Sequence, residues 1–313
     1  MSSQPVIVIG GPTASGKSAL AINIAERFGG EIINADSMQI YEDLSVLTAR
    51  PRAAHIARVP HHLYGILGLH ERCSAGQWRT RALDVIKDVQ RRAALPIVVG
   101  GTGLYLRALM TGLHRMPAVP AAIREGLNAR LADEGAAALH AELAALDPET
   151  AAGLNPADSQ RIVRALEIFT HTGTGLKQWQ AGETEAAPPD LRFFRIVTLP
   201  PREELYAIAN ERFRWMMDNG ATEEVARLFS RSPPNDLPLL KAVGVQGIRA
   251  FLAGEIDKDQ LIERGQRDTR RYAKRQMTWF RWQIIPEIVI VTQYLEINND
   301  VIFSDISKFL LTD

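Results

Sequence analysis

The sequence predicts an α/β protein: a parallel sheet flanked by helices, with an all-helical segment inserted into it. Three observations carry this reading. Short, wholly apolar runs alternate with helical periods over the first third of the chain. The strand signal then disappears between residues 118 and 191, and it returns at Phe193–Thr198. Alternating strand and helix is the pattern of a parallel sheet, and strands without polar alternation are expected where both faces are covered.

Val6 to Ile9 read as the first strand, β-branched and closed by Gly10-Gly11, with a helix over Ser18 to Phe28. Glu31 to Asn34 give a second strand that ends at the polar turn Asp36-Ser37. Gln77 to Arg92 place Trp78, Leu83, Val85, Ile86 and Val89 at helical spacing, and Pro96 to Val99 form a third strand before Gly100-Gly101. From Ala121 to Thr170 alanine-rich helical stretches dominate. Asp147-Pro148 and Asn155-Pro156 read as helix starts, because a capping residue followed by proline suits a first turn. Gly182 to Asp190 is a linker by composition, and a long helical stretch follows Phe193–Thr198. Residues 1–117 and 192–313 are therefore expected to form one core, with 118–191 as a helical insertion. Ile284 to Asp313 is apolar and acidic and carries no chemistry that can be named.

The 313 residues suit about two domains. A hydrophobic share of 46% against 23% charged gives enough apolar mass for a core. No apolar run approaches the ~18 residues that span a bilayer, and Met1 to Gly10 lacks a basic leader, so neither a membrane partner nor a signal peptide is expected. The single cysteine, Cys73, excludes an intrachain disulfide and fits a reducing compartment, the cytoplasm by default; it reads as an ordinary small side chain. The 36 basic and 36 acidic residues cancel, which counts against a uniformly basic nucleic-acid binder but says nothing about local distribution.

Gly11-Pro12-Thr13-Ala14-Ser15-Gly16-Lys17-Ser18 matches G-x-x-x-x-G-K-[ST] between a predicted strand and a predicted helix. The core is therefore expected to be P-loop NTPase-like. Glycines let successive N–H groups face one anion, the helix N-terminus adds positive potential, Lys17 brings a mobile charge, and the Ser18 hydroxyl can reach Mg2+. Such a loop holds the diphosphate of ATP, GTP or a prenyl diphosphate equally well. There is no Asn-Lys-x-Asp guanine reader and no late strand ending in Asp to hold a nucleotide's magnesium. The one strand-end carboxylate near the loop is Asp36. It can take a proton or hold a metal through water, or it can simply cap the following turn; spacing alone leaves these even.

A basic stripe lies near the end of the chain. Arg264, Arg267, Arg270, Arg271, Lys274, Arg275 and Arg281 recur at helical spacing with Asp268 as the only acid, interleaved with Tyr272, Trp279, Phe280 and Trp282. Such a stripe suits an RNA backbone, with aromatics for packing or stacking.

Taken together, GPTASGKS (Gly11–Ser18), NADSMQIY (Asn34–Tyr41), TARP (Thr48–Pro51), PHHL (Pro60–Leu63), GGTGLY (Gly100–Tyr105), NPADSQRIVRALE (Asn155–Glu167) and RRYAKRQMTWFR (Arg270–Arg281) resemble the tRNA dimethylallyltransferase (tRNA isopentenyltransferase) family, over roughly residues 5 to 282. The resemblance implies transfer of a dimethylallyl group from dimethylallyl diphosphate to the exocyclic amine of the adenosine 3′ of the anticodon, with Mg2+ assisting. It implies catalytic roles for Asp36, Thr102 and Arg212, and diphosphate binding by Gly11 to Ser18. It also implies tRNA contacts at Asp36, Ser37, Met38 and Gln39, at Gln160, Arg161, Ile162, Val163 and Arg164, and at Lys241, Val243 and Gly244. The basic stripe adds Arg271, Lys274 and Arg275. The chain departs from the family pattern at Val245-Gln246-Gly247, Leu47, Tyr64-Gly65 and Ile208. His61 and His62 are read as structural, since adjacent histidines point apart. A monomer is expected, because one asymmetric tRNA is a sufficient partner. The competing readings are a small-molecule or nucleoside kinase, in which Arg161 and Arg164 would serve a lid, and a non-enzymatic nucleotide-dependent RNA binder.

Overall fold

The computed structural model describes residues 3–182, 184–294 and 299–312. The chain divides into two compact units, Met1–Thr111 with Pro188–Asp313, and Gly112–Ala187. The first unit opens with β1 (Gln4–Gly10), α1 (Lys17–Phe28), β2 (Gly30–Asn34), the short α2 (Ala53–Ile56), β3 (His61–His62), α3 (Ala75–Arg91), β4 (Leu95–Gly100) and α4 (Gly103–Thr111). The second comprises β5 (Leu113–His114), α5 (Ala121–Leu146), α6 (Pro148–Ala152), α7 (Ser159–Thr172), α8 (Leu176–Ala181) and β6 (Thr184–Glu185). The first resumes with β7 (Leu191–Thr198), α9 (Arg202–Asp218), α10 (Ala221–Ser230), a 3-10 turn (Pro238–Lys241), α11 (Val245–Leu252), α12 (Lys258–Gln283), β8 (Ile288–Ile290) and α13 (Asn299–Leu311).

Six parallel strands form one sheet in the order β3-β2-β4-β1-β7-β8. Successive side chains alternate faces, so the apolar strands feed two cores. Ile7, Ile9, Ile97 and Val99 pack with Leu20 and Ile24 of α1 and Ile302 and Ile306 of α13. Val6, Val8, Ile33 and Val98 pack on the other face with Trp78 of α3, Leu106 of α4 and Phe280 of α12. Helices on both faces explain why the strands lack polar alternation. Because the sheet is parallel, β1, β2, β4 and β7 all end at one edge, where ligands of open α/β sheets bind. The loops leaving that edge begin at Gly11, Ala35, Gly101 and Leu199.

Local signals set the helix ends. Gly16 sits at φ 84° immediately before α1, in the left-handed region where a Cβ is costly. Ser74 and Gln77 close a capping box on α3, and Asp257 and Gln260 close another on α12. Along α12, Gly265 faces the Phe213 ring of α9, and a Cβ at that position would overlap the ring. This close approach sets how α9 and α12 pack.

The second unit packs Leu127, Leu139 and Leu143 of α5 against Ile162 and Leu166 of α7. α5 breaks at Gly135, which adopts φ 81° and ψ 168°. Burial by itself would raise the Glu167 carboxyl, but hydrogen bonds from Arg124 and Arg164 outweigh it and hold the group below its ordinary value.

Two expectations need correction. The second unit begins at 112 rather than 118 and is not all helical: Leu113 and His114 pair antiparallel with Glu185 and Thr184, so part of the expected linker is a strand. Asn155-Pro156 does not start a helix. The Asn155 side chain accepts from Ala157 N in a turn, and Asp158 caps α7 instead. The segment after Ile284 supplies the sixth strand, β8, and the covering helix α13.

Gly265→Ala should force the Phe213 ring away from α12 and lower stability by about 1–3 kcal/mol, the usual cost of overpacking a filled core. Urea denaturation of the pair checks this; an unchanged midpoint would show that the α9–α12 contact tolerates a methyl group.

Candidate active site

The loop from Gly11 to Ser18 leaves β1 and enters α1. The Ser15 hydroxyl donates to Pro12 O at 2.8 Å and lies 2.6 Å from the Thr198 hydroxyl at the end of β7, which pins the loop to the neighbouring strand. Lys17 Nζ donates to Pro12 O at 3.1 Å. Thr13 is engaged twice. Its N–H donates to Gln276 Oε1 of α12 at 2.9 Å, and its hydroxyl accepts from the Arg212 guanidinium of α9.

Lys17 and Arg212 lack an ion-pair partner among the described residues, and burial weakens the charged form of each. Burial lowers Lys17 to about 8; the Asp36 charge opposes the shift and Arg212 adds to it. Burial likewise lowers Arg212 to about 10, again opposed by Asp36. Two partly desolvated cations next to one carboxylate leave an excess of positive charge, the electrostatics of an anion site.

Asp36 follows β2 in a turn held by Asn34, whose side chain accepts from Asp36 N at 2.9 Å and donates to Asp36 O and Leu63 O, each at 3.0 Å. Asp36 Oδ1 accepts from Met38 N at 2.9 Å, whereas Oδ2 makes no hydrogen bond among the described residues. The capping and chemical readings of this residue therefore hold together: one oxygen fixes the turn and the other is left available. Thr102 lies beneath the same turn. Its hydroxyl accepts from Ser37 N at 2.9 Å and donates to Ser37 Oγ at 3.2 Å, and its own N–H donates to Ala35 O.

Two cavities of about 240 Å3 each adjoin these groups, and Arg212 and Met216 line both. One holds Thr13, Asp36, Met38, Thr48 and Lys241, with Tyr272 and Arg275 of α12. Burial, reinforced by the Asp36 charge, raises the Tyr272 phenol and keeps it protonated. The other holds Ser18 with apolar Ile22, Ile32, Val46 and Val99, and Arg50 and Trp215. Among the described residues no group of three or more His, Cys, Asp and Glu side chains could hold a metal.

The expected RNA-facing residues fall into three sets. Ser37 and Met38 lie in the Asp36 turn, while Gln39 donates to Thr48 O at 2.8 Å and Ala49 O at 3.0 Å, fixing the TARP segment. Val243 lines the Asp36 cavity with Lys241, and Gly244 adopts φ 99° against Leu47 and Phe213. On α12, Arg271, Lys274 and Arg275 are exposed. In the second unit Gln160 and Arg161 are exposed and Arg164 pairs with Glu167, but Ile162 and Val163 are buried in that unit's core. Contact through the Ile162 and Val163 side chains is therefore corrected: they face Leu127 and Leu139 because α7 turns its apolar stripe inward. His62 pairs with Glu31 at 2.6 Å and His61 with Val59 O at 2.8 Å, and both lie in β3.

Two site residues were not singled out from the sequence. Gln276 bridges the cradle to the loop after β4, and Glu224 of α10 accepts from the backbone N–H groups of Ser45, Val46 and Leu47 at 2.9 to 3.1 Å. Gln276 lies within a resembling motif, which could have marked it. Glu224 lies in none.

Comparison with known proteins agrees with this geometry. The family described as IPP transferase matches residues 39–283, and the one described as isopentenyl transferase matches 4–64. The chain is 50% identical over 283 residues to the tRNA dimethylallyltransferase of Rhodospirillum centenum, covering 90% of each. It resembles the crystal structure of the full-length tRNA isopentenylpyrophosphate transferase from Bacillus halodurans, with TM-score 0.66, 31% identity and coverage of 98% and 95%. It also resembles a eukaryotic dimethylallyltransferase captured acting on tRNA, with TM-score 0.79, 27% identity and coverage of 99% and 80%. With the P-loop, the Asp36 turn and the GGTGLY loop converging at one sheet edge, this chain belongs to the tRNA dimethylallyltransferase family and is a prenyl-transferring enzyme.

Proposed function

We propose that the protein transfers the dimethylallyl group of dimethylallyl diphosphate to the exocyclic amine of the adenosine immediately 3′ of the anticodon in tRNA. The observation that carries the reading is the Asp36 carboxylate, with one oxygen unengaged, sharing a cavity with Thr13 and Arg212 of the anion site. In the transfer, the bond between the allylic carbon and the diphosphate oxygen breaks as the bond to the amine nitrogen forms. Negative charge grows on the leaving diphosphate, where Lys17, Arg212 and the N–H groups opening α1 stabilise it. The amine loses a proton to Asp36 Oδ2 as the bond forms. Thr102 keeps Asp36 aimed through Ser37.

The Ser18 hydroxyl, exposed at the start of α1, would hold Mg2+ together with the donor's phosphate oxygens. When bound, the ion neutralises part of the leaving group's charge. The adenine must leave its stack to reach Asp36, at a cost of a few kcal/mol. Met38 and Tyr272 offer it flat apolar and aromatic surface. The exposed cations of α12, together with Gln160 and Arg161 of the second unit, supply RNA backbone contacts. We place the reaction in the cytoplasm, on a monomer; no helix among the described residues is long and apolar enough to cross a membrane. A kinase is disfavoured because β4 and β7 end at Gly100 and Thr198, neither offering the carboxylate that holds a nucleotide's metal.

Labelled dimethylallyl diphosphate, Mg2+ and unmodified tRNA should yield label on that adenosine, and Asp36→Asn should reduce kcat by about 10²–10⁴-fold, the usual contribution of a positioned base. ATP consumption with a small acceptor and no label on tRNA would favour the kinase instead.

The lowered Lys17 predicts a pH dependence of donor binding. The diphosphate selects the ammonium, which the free enzyme carries fully only below a pH of about 8. Affinity should be flat well below that value and fall about tenfold per pH unit well above it, where binding takes up one proton. Calorimetry in buffers of different ionisation heat reads both; pH-independent affinity from about 7 to 9.5 would show that Lys17 does not titrate there.

A further inference from the structure

Gln276 takes no part in the transfer as proposed above, yet it occupies the junction of the site. It is 6% exposed, on the inward face of α12. Its carboxamide uses both ends: Oε1 accepts from Thr13 N at 2.9 Å, and Nε2 donates to Gly101 O at 2.9 Å. Thr13 belongs to the donor cradle. Gly101 precedes Thr102, which holds the Asp36 turn through Ser37. A Cβ built on Gly101 would lie 3.5 Å from Asp36 Oδ2 and 3.4 Å from Gly11 O, so this loop touches both halves of the chemistry. The neighbours of Gln276 in sequence, Lys274 and Arg275, are exposed on the outer face of the same helix.

We propose that Gln276 is a positioning residue for prenyl transfer: its carboxamide holds the P-loop and the Asp36-supporting loop in register, from the helix that presents cations to tRNA. The inference rests on the prenyl-transfer reading above. A primary amide is suited to the task because it carries an acceptor and a donor group side by side in one plane. In-line transfer needs donor carbon and acceptor nitrogen within a near-attack distance, and a shift of about 1 Å costs on the order of a hundredfold in rate. The Thr13 N–H spent on Gln276 is also unavailable to the diphosphate. Gln276 therefore sets which cradle amides face the anion.

The test is a kinetic comparison of wild type, Gln276→Ala and Gln276→Glu in the full chain, with thermal melting alongside. Gln276→Ala should lower kcat roughly ten- to a hundredfold, with KM for donor and tRNA changed less than about threefold. Gln276→Glu is the sharper variant. Ionised, it accepts from Thr13 N–H but repels Gly101 O; protonated, it donates to that carbonyl and restores both bonds. The ratio of wild-type to Gln276→Glu kcat should therefore shrink as pH falls through the buried glutamic acid's titration. A structural role alone would lower the melting temperature of both variants while leaving kcat of the folded fraction and that pH ratio unchanged, and such a result overturns the proposal. Failure of wild type itself to label tRNA would instead overturn the underlying reading. If Gln276→Ala does not fold, the pH ratio of the isosteric Gln276→Glu decides alone.

Discussion

Lys17 and Arg212 are desolvated cations that each feel the charge of one carboxylate, Asp36, and the site depends on those three charges being kept apart. Neither cation forms an ion pair among the described residues; each donates instead to an uncharged oxygen, Pro12 O or the Thr13 hydroxyl. Asp36 is restrained by its own turn, one oxygen on Met38 N. An ion pair would relieve the desolvation that depresses both cations. Held apart, they remain committed to an anion that arrives from outside, and the carboxylate remains available for a proton.

Keeping the charges apart requires supports from distant elements. β1, β2 and β4 deliver the cradle, Asp36 and Thr102 to one sheet edge because the sheet is parallel. α9 delivers Arg212, and its placement depends on α12 approaching closely where Gly265 meets Phe213. Glu224 uses a single carboxylate to gather three consecutive N–H groups of the segment leading into Thr48, which lines the Asp36 cavity. A carboxylate so bonded rigidifies backbone that would otherwise be a mobile loop. The site therefore sits on loops, but on loops tied to helices at several points.

Much of this was legible in the chain itself, and the limits have physical causes. The P-loop was readable because its glycines, lysine and serine must be contiguous to wrap one phosphate group. The Asp36 turn was readable because it closes the strand that follows the P-loop helix, at the same sheet edge as that loop. Gln276 and Glu224 act on partners 175 to 263 and 177 to 179 residues away, so no local spacing records them. The burial of Ile162 and Val163 was not legible because exposed and core-facing residues alternate along one amphipathic helix, and a contiguous motif includes both faces. β8 escaped notice because three residues following Pro286 are too short a run to separate from a loop. Its strand character comes from pairing with β7.

The central claim is a division of labour: the two cations serve the donor and Asp36 serves the acceptor. The most direct test is the affinity of Asp36→Asn for dimethylallyl diphosphate with Mg2+, measured by calorimetry in the absence of tRNA. Removing a negative charge from beside the anion site should leave that affinity unchanged or make it tighter. A loss of more than about tenfold would place Asp36 on the donor side, as a ligand acting through the metal, and would contradict the account.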